Sequence, residues 1–177
     1  MEPSHEVAVR PTRPEDAAAA RRASYEGWRD TYVRPDGLSA EQLEALWAPR
    51  LSEQGVRAFA QEIAELQVRA DVVQLVAELD GVVVGTLVAR LPADGPQELR
   101  VLYVATAARG RGAGGALMEA LLARVDPERP VSLGVAAFND GAQRFYRRHG
   151  FEAVPGSGTM WNDVLPEITM TRPATRV

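Results

Sequence analysis

The sequence predicts a single α/β domain whose sheet is mixed but largely antiparallel, with helices on its faces. Three observations lead there. Amphipathic helical segments occupy the stretch from Pro14 to Arg69, two β-branched apolar runs then meet at Asp80-Gly81, and strand-like and helix-like segments alternate from Glu98 onward. Asp-Gly between two such runs is a strong hairpin signal. Alternation of the two periods within one chain of 177 residues fits one domain, with an ordered core over about residues 7–171.

The elements follow in order. Val7 to Arg10 reads as a first strand, stopped by Pro11 and Pro14. Pro14-Glu15-Asp16 opens an alanine-rich helix that runs to about Tyr32, with proline and acids in the favoured first turn. Ser39 and Gln42 have capping-box spacing and start a second helix, whose apolar face carries Leu43, Leu46 and Trp47. A third amphipathic segment covers Gly55 to Arg69. Val72–Leu79 and Val82–Leu91 form the hairpin, and Glu98–Val104 the next strand. A loop then enters a helix from Gly112 to Val125. Val131–Val135 is a strand, Asn139–His149 a helix and Phe151–Val154 a short strand. A loop of Gly, Ser and Asn precedes a last strand at Glu167–Thr171.

Composition excludes several chemistries. Cysteine and lysine are both absent, and all 20 basic residues are arginine. Disulfides, thiolate metal sites, cysteine nucleophiles, Schiff bases and a P-loop lysine are thereby removed. His5 and His149 are the only imidazoles, too few for a histidine-rich centre, so metal-free chemistry is expected. A net charge of -4 argues against nucleic-acid binding. No apolar run reaches the ~20 residues that span a bilayer, and Met1–His5 lacks the features of a secretory signal. A cytoplasmic protein without membrane attachment is the expectation. The sequence sets no oligomeric state, and a homodimer is compatible with it.

Arg109-Gly110-Arg111-Gly112-Ala113-Gly114-Gly115 follows a strand and opens a helix. Such a place suits an anion: first-turn N–H groups point outward, glycines let a phosphate approach the backbone, and the helix dipole favours negative charge. A Walker A loop would need Lys and Ser/Thr where the chain has Gly115-Ala116-Leu117. Gly110, Gly112 and Gly115 match a dinucleotide fingerprint formally, yet Ala105–Arg109 separate strand from glycines and the following strand ends without an acid for a ribose. The remaining possibility is a coenzyme A pyrophosphate loop, with a plain glycine-rich helix start as its alternative. Leu102-Tyr103-Val104 followed by Arg109–Gly114 resembles the acyl-CoA motif Q/R-x-x-G-x-G/A of the GNAT N-acetyltransferases. The segment Asn139 to Phe151, with its Phe145-Tyr146 pair and Gly150-Phe151, resembles a second motif of that family.

The resemblance implies acetyl-CoA as cosubstrate and an N-acetyltransferase acting on a primary amine, either a small molecule or a peptide. It implies a binding site made from Leu102, Val104, Arg109, Gly110, Arg111, Gly112, Ala113, Gly114, Asn139 and Tyr146. Adjacent strands would splay near Leu102–Val104, so that the pantetheine arm pairs with the open backbone and Leu102 N–H donates to the thioester oxygen. Tyr146 would stand near the sulfur as general acid. A phenol of pKa about 10 is protonated at neutrality and close enough to a thiol at about 8.5 to donate. The other readings remain: Tyr146 a buried aromatic, Asn139 a helix cap, Phe145 core and His149 a helix-end residue.

Presenting an alkyl ammonium as the free amine at pH 7 costs about 4.6 kcal/mol, so a base is expected. Glu98 is the candidate, since it lies four residues before Leu102 and even spacing places both on one face of a regular strand. A bulge would upset that parity, and a solvated Glu98 is the alternative. The family's acceptor pocket would draw on Tyr25, Trp28, Tyr32, Trp47, Met160 and Trp161, or these belong to a core. Two rival classes are a non-catalytic acyl-CoA-binding regulatory module and a nucleotide-dependent oxidoreductase.

Overall fold

Asp80 and Gly81 both take positive φ, 53° and 79°, as a two-residue type I′ hairpin requires. They join β2 (Val72–Leu79) to β3 (Val82–Arg90). The structure is a computed structural model describing residues 6–161 and 163–175; Met1–His5, including the His5 imidazole, lie outside the described residues. The other strands are β1 (Val7–Pro11), β4 (Gln97–Val104), β5 (Val131–Ala136), β6 (Glu152–Ala153), β7 (Thr159–Trp161) and β8 (Leu165–Arg172). Their order is β1-β2-β3-β4-β5-β8-β6, and β7 pairs with β8. Only β4 and β5 run parallel among the described strands, so the sheet is mixed and largely antiparallel.

Helices α1 (Ala17–Tyr32), α2 (Ala40–Leu51) and α3 (Glu53–Gln67) precede the hairpin, while α4 (Ala113–Leu122) and α5 (Asp140–Arg148) follow β4 and β5. The capping box forms: Gln42 N–H donates to Ser39 Oγ at 3.1 Å, and Ser39 N–H to Gln42 Oε1 at 2.8 Å. Two boundaries differ from expectation. Pro14–Asp16 is a separate 3-10 turn before α1. Helix α3 starts earlier than Gly55 because Ser52 caps it, accepting from Gly55 N–H at 3.1 Å. Strand β7 falls where a loop was expected, three residues being too short to show a period.

Each sheet face has its own apolar cluster. Leu117, Met118 and Leu121 of α4 and Tyr146 of α5 pack with Leu75, Leu87, Leu99, Leu133 and Met170. The opposite face carries Leu43 and Trp47 of α2, with Trp28 and Tyr32 of α1 and Leu165 of β8. No helix among the described residues is long and apolar enough to cross a membrane.

The first strand is fastened by charge. Arg10 holds both oxygens of the buried Asp16, at 2.7 and 2.9 Å, and reaches Glu78 on β2 at 2.7 Å. Burial opposes ionisation of Asp16, but Arg10 and the Arg13 N–H outweigh it and hold the carboxyl below its usual range. Arg10→Ala would strand that charge, and is expected to cost about 3 kcal/mol at pH 7. Because the Asp16 pKa is depressed, the pair's contribution is present above the unfolded carboxyl pKa and fades as pH falls through the folded one. Urea unfolding of both proteins at pH 7 and pH 3 should show the difference shrinking in acid.

Candidate functional site

Strands β4 and β5 pair at three positions only: Gln97↔Val131, Glu98↔Ser132 and Leu99↔Leu133. Buried Gln97 locks this short seam, its Nε2 donating to Asp126 O at 3.0 Å and its Oε1 accepting from Asp126 N–H at 2.7 Å. Beyond Leu99 the strands part, β4 staying with β3 and β5 with β8. Ala105 N–H donates to Val84 O at 2.7 Å. Alternation along an antiparallel pair then turns the backbone groups of Leu102 and Val104 away from β3, into the gap. The expected splay is therefore present, with an open strand edge along it.

The register slips within β4, where Val101 opposes Val88 but Leu99 opposes Ala89. Arg100 is the extra residue of a bulge. Leu99, Leu102 and Val104 consequently all pack toward α4. Glu98 falls on the other face, so the even-spacing argument that placed it beside Leu102 fails. Its carboxylate pairs with Arg100 at 3.0 Å and is about half exposed.

A cavity of about 620 Å³ fills the gap, bordered by β4, the glycine loop and α5. Gly110 and Gly112 have φ of 75° and 91°, a region other residues enter only with strain. Gly112 is the N-cap of α4, and no side chain caps the helix there. The first-turn N–H groups, Ala113 to Gly115, are thus left for a ligand. A Cβ on Gly115 would meet nothing within 4 Å, and one on Gly114 would lie 3.6 Å from the Phe145 ring. Arg109 borders the cavity but turns to Asp30 of α1 at 3.1 Å. Burial opposes ionisation of Asp30, yet Thr106, Arg29 and Arg109 together keep its carboxyl below the usual range. Arg111 is exposed and Ala113 buried, and the side chain of neither borders the cavity.

Helix α5 supplies the far wall. Asn139 caps it, accepting from Ala142 N–H at 3.0 Å, and borders the cavity as well. Tyr146 is 9% exposed and lies between the Phe145 and Phe151 rings, with centroids 5.4 and 5.9 Å away. Burial, followed by the nearby Tyr32, pushes its phenol pKa well above the ordinary value. Phe145 is only partly buried and forms cavity wall, and His149 packs against it at 4.7 Å and borders the same space. Their readings as core and helix end understate both positions. Burial, then Arg148, lowers the His149 pKa against the pull of Glu119.

On the α1 face a smaller recess of about 140 Å³ adjoins the first, with Tyr32, Arg100, Tyr103 and Gly134 bordering both. Trp28, Trp161 and Glu167 complete it. Trp28 and Trp161 meet edge to face at 5.1 Å. Tyr103 interacts with Tyr32 and, from across the gap, with Tyr146. The Glu167 carboxylate lies directly over Gly134, where an added Cβ would sit 2.7 Å from Cδ. Of the other acceptor-pocket candidates, Tyr25 hydrogen-bonds to Glu44, Trp47 is buried in the apolar cluster, and Met160 is exposed. Glu167 and Gly134 escaped the sequence reading. A glycine inside a strand, a mark of close approach, was the signal available for the pair.

The family model for the GNAT acetyltransferase family matches residues 40–151. The chain belongs to that family. The match contains the bulged strand, the glycine loop and α5, while Trp28, Tyr32, Trp161 and Glu167 lie outside it. The GNAT fold extends through nearly the whole chain. PaiA N-acetyltransferase from Thermoplasma acidophilum, solved with coenzyme A, superposes with a TM-score of 0.75 at 21% identity, over 95% of this chain and 99% of that one. A GCN5-related N-acetyltransferase from Rhodopseudomonas palustris gives 0.66 at 27% identity, over 94% of each chain. YncA from Salmonella typhimurium, solved with acetyl-CoA, gives 0.69 at 15% identity, over 97% of this chain and 96% of that one. A comparison with curated protein sequences gives no match.

Proposed function

We propose that this GNAT protein moves an acetyl group from acetyl-CoA directly onto a primary amine of a small molecule or peptide. The observation that carries the reading is the open edge of β4 at Leu102 and Val104, which faces a cavity ending at the uncapped start of α4. The residues fit the donor. Gly110, Gly112 and Gly114 leave space for a pyrophosphate, and the α4 N–H groups meet its charge. Arg111, exposed on the same loop, adds positive charge nearby, Ala113 contributes its backbone, and Asn139 bounds the far side. The coenzyme A and acetyl-CoA in the Thermoplasma and Salmonella structures support the assignment.

Within this reading, Leu102 and Val104 hold the pantetheine arm as an added strand, and Leu102 N–H donates to the thioester oxygen. Tyr146 protonates the departing sulfur. A carboxylate of the α1 face takes the ammonium proton, and both Glu98 and Glu167 stand on that face. The chain acts without an acyl-enzyme, having no cysteine or lysine to carry one, and it works in the cytoplasm.

Thiol release with a panel of primary amines tests the activity. Initial-rate lines for varied amine and acetyl-CoA should converge. Parallel lines, or acetyl trapped on a Ser or Thr, would overturn direct transfer.

A further inference from the structure

We infer that Glu167, rather than Glu98, is the group that binds the acceptor's ammonium and takes its proton, and that the aromatic recess around it admits a primary amine on a slender alkyl arm. The inference rests on the reading of the chain as an amine acetyltransferase and names the acceptor side of the same site.

Four observations carry it. The recess is small, about 140 Å³, and the aromatic residues Trp28, Tyr32, Tyr103 and Trp161 border it, with Arg100 where it adjoins the larger cavity. Aromatic faces beside a carboxylate attract an alkyl cation, which an uncharged alcohol of the same size does not match in charge. Among the described residues Glu167 is the only acid bordering that space, whereas Glu98 borders neither cavity and is paired with Arg100. The recess adjoins the donor cavity, sharing Tyr32, Arg100, Tyr103 and Gly134 with it, so an amine seated there lies beside the gap in the sheet. Finally, Gly134 has no side chain at the one place where a Cβ would strike the Glu167 carboxylate. The strand is bare where the acid lies across it.

The charged and titratable groups facing Glu167 are Glu98, Arg100 and Tyr103 from β4 and Tyr32 from α1. Burial, then the Glu98 charge, raises the Glu167 pKa above the usual carboxylate value. A raised pKa makes the carboxylate a better proton acceptor near neutrality. In the step itself, the ammonium gives one proton to Glu167 and the freed nitrogen pair forms the C–N bond. The C–S electrons leave with sulfur, which takes the Tyr146 proton. The second proton lost from nitrogen restores the Tyr146 phenol through water, and Glu167 returns its own to solvent.

Glu167→Gln keeps the size and removes the charge. The first readout is binding of n-butylammonium to protein saturated with coenzyme A, followed by NMR titration, which needs no turnover. Wild type should bind, Glu167→Gln at least ~10-fold more weakly, and n-butanol should not compete. The second readout is kcat/KM for n-butylamine against pH. Glu167→Gln should lower it about 100-fold and abolish its acidic limb. Glu98→Gln should keep that limb but move it to lower pH, because a neighbouring negative charge has gone. The inference is overturned if wild type does not bind n-butylammonium, if Glu167→Gln binds it equally well, or if Glu98→Gln is the variant that loses the limb. Absence of thiol release from wild type with every amine, while n-butylammonium binding still depends on Glu167, would instead overturn the transferase reading alone.

Discussion

Gly114→Asp is expected to leave a folded protein that binds coenzyme A at least ~100-fold more weakly. Position 114 lies in the first turn of α4, where an acid is favourable for the helix. The backbone there has no positive φ, and a Cβ lies at ordinary contact distance from Phe145. The substitution therefore costs little in the free protein. In the complex its carboxylate faces the pyrophosphate, and two like charges about 4 Å apart repel by roughly 4 kcal/mol near a protein surface. Gly114→Ala controls for bulk and should lose much less. Gly112→Asp is a less clean test, because φ of 91° adds strain to the folded state. Calorimetric titration with coenzyme A, alongside thermal melts, decides the point. Affinity equal to wild type in a folded Gly114→Asp protein would place the pyrophosphate elsewhere.

Tyr146→Phe should lower kcat by about 100-fold, near the lower end of what general acid catalysis contributes. The ring keeps its contacts with Phe145 and Phe151, so stability and coenzyme A affinity should change little. Burial makes the phenol a weaker acid, but a thiolate leaving into the same dry gap is also a stronger base than in water. Donation therefore remains feasible, and the raised pKa keeps the proton in place through the neutral range. Because a thiol of pKa about 8.5 is a fair leaving group unaided, the defect should shrink for a donor whose thiol is more acidic. Full kcat in Tyr146→Phe, with chemistry shown to limit the rate, would reduce Tyr146 to packing.

The hairpin at Asp80-Gly81, the capping box at Ser39 and the glycine loop were legible because each depends on a few adjacent residues. The walls of the larger cavity were legible for the same reason: the segments Leu102–Gly114 and Asn139–Phe151 carry their own local geometry. The acceptor side was not. Glu167 meets Gly134 only because β8 pairs with β5 in a register that sets Thr169 opposite Gly134 and Glu167 opposite Ala136. Those residues are more than thirty apart in the chain, and no local pattern fixes that register. The bulge at Arg100 is similarly silent. One extra residue reversed the face of Glu98, and the alternation of Glu98–Val104 gives no warning of it.

The gap between β4 and β5 also bears on how such a protein diversifies. On the proposed reading α4 and α5 hold the donor on one side of the sheet, and α1 with β7 and β8 encloses the recess on the other. The two spaces share Tyr32, Arg100, Tyr103 and Gly134. Mutations in Trp28, Trp161 or Glu167 can therefore retune the guest of the recess without disturbing the nucleotide end. A bulkier acyl group, by contrast, would have to be accommodated beside Tyr32, Tyr103 and Gly134, which border both spaces. Acceptor preference is the trait free to drift, and acyl size the one under joint constraint.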